Sequence, residues 1–284
     1  LGGSQSKTTP LSITIQPLPD LVTQLLPSNM ATNISLTPTM TWLALPGSSS
    51  YDFQVAYDQN FTEMLATYNG AATNYQIINP IFGGTTLYWR VRSNNDCGFG
   101  PWSVSSFTVE PCYFYSPDML PIDIPFSPSS VYSYIEIPDK GVVTDINVLN
   151  LVGSYPEISA LQFSMINPQN TNVLFWNLPC SKENSFNIQF DDSATGTWPC
   201  PPVTGLYYTP SNPLSILNNQ SLKGTWALKV DRIITASGQI NNWGIKACAN
   251  NFCRLEVTHT RMDGPGSLKH AVGCASQEDT ITFD

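Results

Sequence analysis

Apolar and polar residues alternate along Tyr51-Asp52-Phe53-Gln54-Val55-Ala56, so successive side chains of an extended chain fall on opposite faces and one face is buried. This run is one of a close series of short strands. Ser35 to Ala44 precedes a Pro46-Gly47-Ser48 turn, Tyr75-Gln76-Ile77 follows, and a Gly83-Gly84 turn leads into Thr86-Leu87-Tyr88-Trp89-Arg90-Val91-Arg92. Ser105 to Val109 closes the series, and Leu11, Ile13 and Ile15 suggest a strand ahead of it. Strands about 8 to 12 residues apart with turn residues between them predict a β-sandwich.

Composition agrees and narrows the function classes. The chain has 284 residues, enough for about two domains with their own cores, and only 12% are charged against a usual share of about 25%. With 42% hydrophobic residues it has the material for a core, so its polar surface must come from Ser, Thr, Asn and Gln. Twelve Lys and Arg against 21 Asp and Glu give a net charge of −9, the wrong sign for nucleic-acid binding, which depends on neutralising phosphates. The two histidines, His259 and His270, lie near the end, so no imidazole is available to the first 250 residues for zinc or for a Ser/His or Cys/His nucleophile. HExxH, GxSxG and GxxxxGK[ST] are all lacking. No apolar run approaches 18 residues, which predicts no membrane span. Leu1 to Pro10 has no charged and apolar halves of a signal peptide and reads as a linker, which makes the chain a mature or excised segment.

Several strings are specific enough to support resemblances. Leu26-Pro27-Ser28-Asn29, Thr39-Met40-Thr41-Trp42, Tyr51-Asp52-Phe53-Gln54-Val55, Asn60-Phe61, Tyr88-Trp89-Arg90-Val91-Arg92 and Gly100-Pro101-Trp102-Ser103 together resemble a bacterial fibronectin type III domain over residues 24–111, after a linker or domain end at 1–23. The resemblance implies a core tryptophan at Trp42 and a buried corner tyrosine at Tyr88. Pro111, Pro117, Pro121, Pro125 and Pro128 then make 112–130 read as a stiff linker.

Residues 131–250 return to short strands. Their loops, Phe190-Asp191-Asp192 and Gly205-Leu206-Tyr207 among them, and the ending Gly224-Thr225-Trp226…Asp231…Gly238…Asn242-Trp243 resemble the P domain of proprotein convertases. That resemblance implies an eight-stranded jelly roll with structural calcium. From 251 to 284 the string Asp263-Gly264-Pro265-Gly266-Ser267-Leu268 and the later Asp279-Thr280-Ile281-Thr282-Phe283 resemble the opening cap of an extracellular parallel β-helix. The expected fold class is therefore all-β: a type III sandwich, a P-domain jelly roll and the N-terminal cap of a truncated β-helix. A β-helix needs several stacked repeats, so the natural protein is expected to continue beyond Asp284.

The candidate sites follow from oxygen and sulfur chemistry. Calcium takes six to eight hard oxygen ligands, and carried onto this chain the P-domain resemblance points to Asp191, Asp192 and Asp231. The aspartate common before the third strand is missing from Ser154-Tyr155-Pro156-Glu157-Ile158-Ser159, where Glu157 is the longer substitute. Seven cysteines in a chain of this type predict disulfides. Cys97 and Cys112 bracket the last strand of the first domain, and Cys180 and Cys200 bracket the Phe-Asp-Asp loop; these are the two expected bonds. Cys248, Cys253 and Cys274 leave one odd thiol under any pairing among themselves. His259, His270 and Asp263 have no accompanying nucleophile motif and read as surface residues. Asn33, Asn60 and Asn219 stand in Asn-x-Ser/Thr sequons, and Asp192-Ser193-Ala194 and Asp279-Thr280-Ile281 match a short O-glycosylation motif of Bacteroidota.

The order of modules resembles large exported proteins of Bacteroidota that use the type IX route. The expected function is that of a non-catalytic segment of a secreted or cell-surface bacterial protein, serving as spacer and interaction modules for adhesion or polymer contact. Its expected partners are a protein or polysaccharide surface ligand and the secretion machinery, with no nucleic acid. Tyr207 and Tyr208 are candidate contact aromatics. The alternative is the accessory tail of a secreted metalloprotease or subtilisin-like protease.

Overall fold

A computed structural model of the chain describes residues 17–127, 129–177, 180–196, 198–261 and 264–284. The linker at 1–10, the strand expected at Leu11, Ile13 and Ile15, Pro128 and Asp263 lie outside the described residues. The fold is all-β apart from one short helix and two 3-10 turns among those residues. The chain divides into two compact units, Leu1–Ala31 with Thr37–Asn79 and Thr86–Phe107, and Thr32–Leu36 with Pro80–Thr85 and Thr108–Asp284.

The first series comprises β1 (Gln24–Leu26), β2 (Ala31–Ile34), β3 (Thr39–Trp42), β4 (Ser50–Ala56), β5 (Met64–Gly70), β6 (Asn74–Gln76), β7 (Thr86–Asn95), β8 (Gly98–Phe99) and β9 (Ser103–Val109). They form a sheet β1-β3-β6 and a sheet β2-β9-β7-β4-β5, with β8 hairpinned onto β7. The two sheets meet as a sandwich: Trp42 of β3, 2% exposed, stacks on Phe53 of β4 with ring centres 5.6 Å apart, as its core role predicts. On β7 the buried residues are Leu87, Trp89 and Val91, so Tyr88 points the other way, its hydroxyl accepting from Gln59 Nε2 at 3.1 Å. The expected buried corner tyrosine is therefore corrected: a period of two is definite, but its phase puts Trp89 inside. On the outer face the Arg90 and Arg92 guanidinium groups both lie over the Trp102 ring, at 4.4 and 4.5 Å, and also over Phe61 at 4.1 Å and Phe99 at 4.0 Å respectively.

The second series comprises β10 (Cys112–Tyr115), β11 (Ile122–Ile124), β12 (Ser130–Ile137), β13 (Lys140–Ser154), β14 (Leu161–Ile166), β15 (Asn172–Asn177), β16 (Ser185–Phe190), β17 (Tyr207–Tyr208), β18 (Gly224–Arg232) and β19 (Gly238–Cys253). One sheet runs β10-β19-β13-β16-β17 with β11 also on β19, and the other β12-β18-β14-β15. Trp176, Trp226, Trp243, Phe163, Phe186 and Phe190 fill the space between them, all at most 1% exposed. The Pro-rich stretch 112–130 is corrected from linker to sheet edge: Cys112 to Tyr115 pair with Cys248 to Ile245, and Ile122 to Ile124 with Ile240 to Gly238. Proline cannot donate to a ladder, and Pro117 and Pro121 fall between the two short edge strands while Pro111 precedes the first and Pro125 follows the second.

Beyond β19 lie β20 (Glu256–Val257), α1 (Leu268–Cys274) and β21 (Thr282–Phe283). β20 and β21 pair in parallel, Glu256 with Thr282 and Val257 with Phe283. The chain turns ahead of α1 at Gly266, whose φ of +88° suits glycine, and Ser267 caps the helix by accepting from the His270 amide at 3.1 Å.

Candidate functional site

The four carboxylates expected to hold calcium do not converge. Asp192 closes a 3-10 turn, its two oxygens accepting from the amides of Leu214 and Ser215 at 2.8 Å each. Asp191, at the end of β16, accepts from the amide and hydroxyl of Ser193 with one oxygen. Asp231 lies on β18 in the other sheet, ion-paired to Lys229 at 2.7 Å and accepting from the Ser130 hydroxyl. Glu157 accepts from Ser159 Oγ at 3.0 Å. Among the described residues, the group of His, Cys, Asp and Glu ligand atoms lying within 4.8 Å of one another is Glu110, Cys112 and Cys248. Two of these sulfurs are bonded to each other, so no thiolate is available there. Asp191, Asp192, Asp231 and Glu157 therefore do not gather their ligand atoms around one ion: no three of them lie within 4.8 Å of one another.

The cysteines correct one expectation as well. Cys112 is bonded to Cys248 rather than to Cys97, which is an exposed free thiol. The register of β10 on β19 sets the two partners side by side. Cys180 is bonded to Cys200, the pair expected from the loop between them, and Cys253 to Cys274 joins the end of β19 to the end of α1. Three bonds therefore use six of the seven cysteines. His259 Nε2 lies 3.0 Å from the Pro265 carbonyl, and His270 Nε2 accepts the Arg254 amide at 3.3 Å. Of the candidate aromatics, Tyr207 is exposed and Tyr208 is buried. Asn33 and Asn219 hold positive φ angles of 56° and 63°, a backbone role that asparagine fills readily.

A polar cluster beside β19 had no signal in the sequence. Asp139, 2% exposed, receives Arg254 Nε at 3.1 Å and a second guanidinium nitrogen at 2.7 Å, while the Tyr115 hydroxyl donates to it at 2.7 Å. The Arg254 guanidinium also lies 4.5 Å from the Phe82 ring. Burial, then the Asp139 charge and hydrogen bond, push the Tyr115 phenol well above its ordinary range, so it stays a donor. The partners are 24 and 115 residues from Asp139, which no local pattern connects.

Comparison with known proteins yields no matching family model and no matching curated protein. Among solved structures, the Fn3-like protein from Clostridium thermocellum is 21% identical over 33% of this chain and 91% of that chain, with a TM-score of 0.24. The serine protease of Aeromonas sobria is 12% identical over 56% of this chain and 33% of that one, with a TM-score of 0.29. No helix among the described residues is long and apolar enough to cross a membrane.

Proposed function

We propose that this chain is a non-catalytic segment of a larger secreted or cell-surface bacterial protein, whose sandwiches act as spacers and interaction modules. The observation that carries the reading is the set of three disulfides, Cys112–Cys248, Cys180–Cys200 and Cys253–Cys274, on a sandwich poor in charge. Such bonds persist in oxidising compartments and stiffen a module that must stay folded without cellular repair. For the second sandwich the P-domain reading is supported by Trp226 and Trp243, the two tryptophans of its signature ending, being fully buried between the sheets. The parallel β20–β21 pair flanking α1 supports the reading of 251–284 as the first turn of a β-helix. Exposed Tyr132, Tyr134 and Tyr207 offer aromatic surface to a protein or polysaccharide ligand.

The test is retention of the purified, oxidised chain on insoluble polysaccharides and on immobilised surface proteins, with surface labelling of intact cells that carry the parent protein. Retention on one class together with labelling is the expected result. A parent protein that stays inside the cell, or whose attached domain is a protease needing this segment for activity, overturns it in favour of the accessory-tail alternative.

A further inference from the structure

The outer face of β12 carries two tyrosines with open space on both sides. Ser133 and Ile135 are buried, so their neighbours Tyr132, Tyr134 and Glu136 point outward. Tyr132 and Tyr134 are 43% and 57% exposed, and their ring planes lie within 7° of parallel with centres 6.2 Å apart. Across the ladder with β18 they stand opposite Lys229 and Ala227, and Glu136 stands opposite Thr225.

Both rings line two separate clefts, so the pair forms a ridge between them. The first cleft, of about 430 Å³, is walled by Pro117, Met119, Pro121 and Ile122, with the carboxylates of Asp118, Asp123 and Glu136 around it. The second, of about 490 Å³, lies against Ile166, Pro168, Asn170 and Thr225. Each has the size of a small-ligand site, about 300–1,000 Å³. Glu136 accepts from Thr225 Oγ1 with one oxygen and Asp123 from Gln239 Nε2 with one, which leaves the second oxygen of each to accept from a ligand. Lys229 is ion-paired to Asp231 at 2.7 Å, and among the described residues no Lys or Arg lines either cleft.

This lining selects by charge and by hydrogen-bond type. Three carboxylates without a lining cation repel an acidic ligand, and their spare oxygens call for donors. The tyrosine faces add apolar contact at a low entropic cost, since each ring has two rotatable bonds. An uncharged ligand with many hydroxyl donors and apolar ring faces satisfies all of these, and two parallel rings repeat the same contact for successive units of a chain. We propose that the Tyr132–Tyr134 ridge binds a neutral polysaccharide laid across both clefts. This rests on the interaction-module reading above and narrows it to one ligand class and one face, leaving Tyr207 outside the site.

The test is native electrophoresis of the oxidised full chain through gels containing hydroxyethylcellulose, xylan or galactomannan, with polygalacturonate as the acidic polymer and polylysine as the cationic one. Retardation by at least one neutral polymer, unchanged in high salt, is expected. Tyr132→Ala and Tyr134→Ala should each weaken it about tenfold, one stacking contact being lost. Tyr207→Ala should leave it unchanged, and Tyr134→Phe, which keeps the ring face, should retain most of it. Because both rings are exposed, the alanine variants should melt with the unsubstituted chain, which separates a lost contact from a damaged fold. Passage without retardation through all three neutral polymers, retardation that survives the double alanine variant, or a preference for polygalacturonate or polylysine overturns the proposal. Surface labelling of cells without retardation overturns this inference alone, whereas a parent protein confined inside the cell overturns the secreted-module reading whatever the gels show.

Discussion

The indole nitrogen of Trp243 donates to the hydroxyl of Ser133 at 2.9 Å, joining β19 of one sheet to β12 of the other through the core. Both residues are buried, so Ser133→Ala leaves an indole N–H with no water to replace the lost acceptor. An unsatisfied buried donor costs about 1–3 kcal/mol. Urea unfolding should show a lower midpoint of that size with an unchanged slope; a difference under a few tenths of a kcal/mol would refute a structural role for the bond.

Arg254 and Asp139 form the most buried ion pair described, with side-chain exposures of 17% and 2%. Removing the cation strands a carboxylate away from water. Arg254→Met is expected to destabilise the chain by about 3–5 kcal/mol, whereas the double change with Asp139→Asn should recover much of it. A double-mutant cycle measures the coupling, and simple additivity would contradict the pairing.

The Cys112–Cys248 bond spans 136 residues, so it restricts a large part of the unfolded chain. Replacing both by Ser should cost about 3–5 kcal/mol on loop-entropy grounds. Without reduction, a thiol reagent should label one cysteine in the native chain, Cys97. Peptide mapping that finds Cys97 bonded to Cys112 would contradict the assignment.

His270 is partly buried, and burial chiefly holds its pKa below the ordinary value of 6.5, with the Arg254 charge acting the same way and Asp139 opposing. The folded state therefore favours the neutral ring that accepts the Arg254 amide. Stability from this group is full above about pH 6.5 and falls as pH drops toward the folded-state pKa, because the unfolded chain takes up the proton first. The stability of the unsubstituted chain relative to His270→Asn should decline between pH 7.5 and 5.5. A difference that rises or stays flat over that interval would show the ring is not held neutral.

Much of the architecture was readable from strand spacing and alternation, because those are local properties of the chain. The run 51–56 became β4 with Tyr51, Phe53 and Val55 inside, and Cys180 and Cys200 are 20 residues apart around one loop. Neighbouring residues mislead where the answer depends on phase. Tyr88 and Trp89 are adjacent aromatics on one strand, and their side chains alone do not say which faces in. Likewise Asp191 and Asp192 look alike as adjacent acids, yet Asp192 caps a 3-10 turn 22 residues away and Asp191 accepts from Ser193 two residues on.

The sequence by itself determined the all-β class, the two sandwiches and the oxidised-cysteine character, since alternation, turn residues and cysteine number act over a few residues. Tertiary structure alone decided that Cys112 meets Cys248, that the Pro-rich stretch is a sheet edge, and that Asp145 stands opposite Cys248 across the β13–β19 ladder. Each depends on the register between strands distant in sequence, and moving a strand by one residue would exchange its two faces.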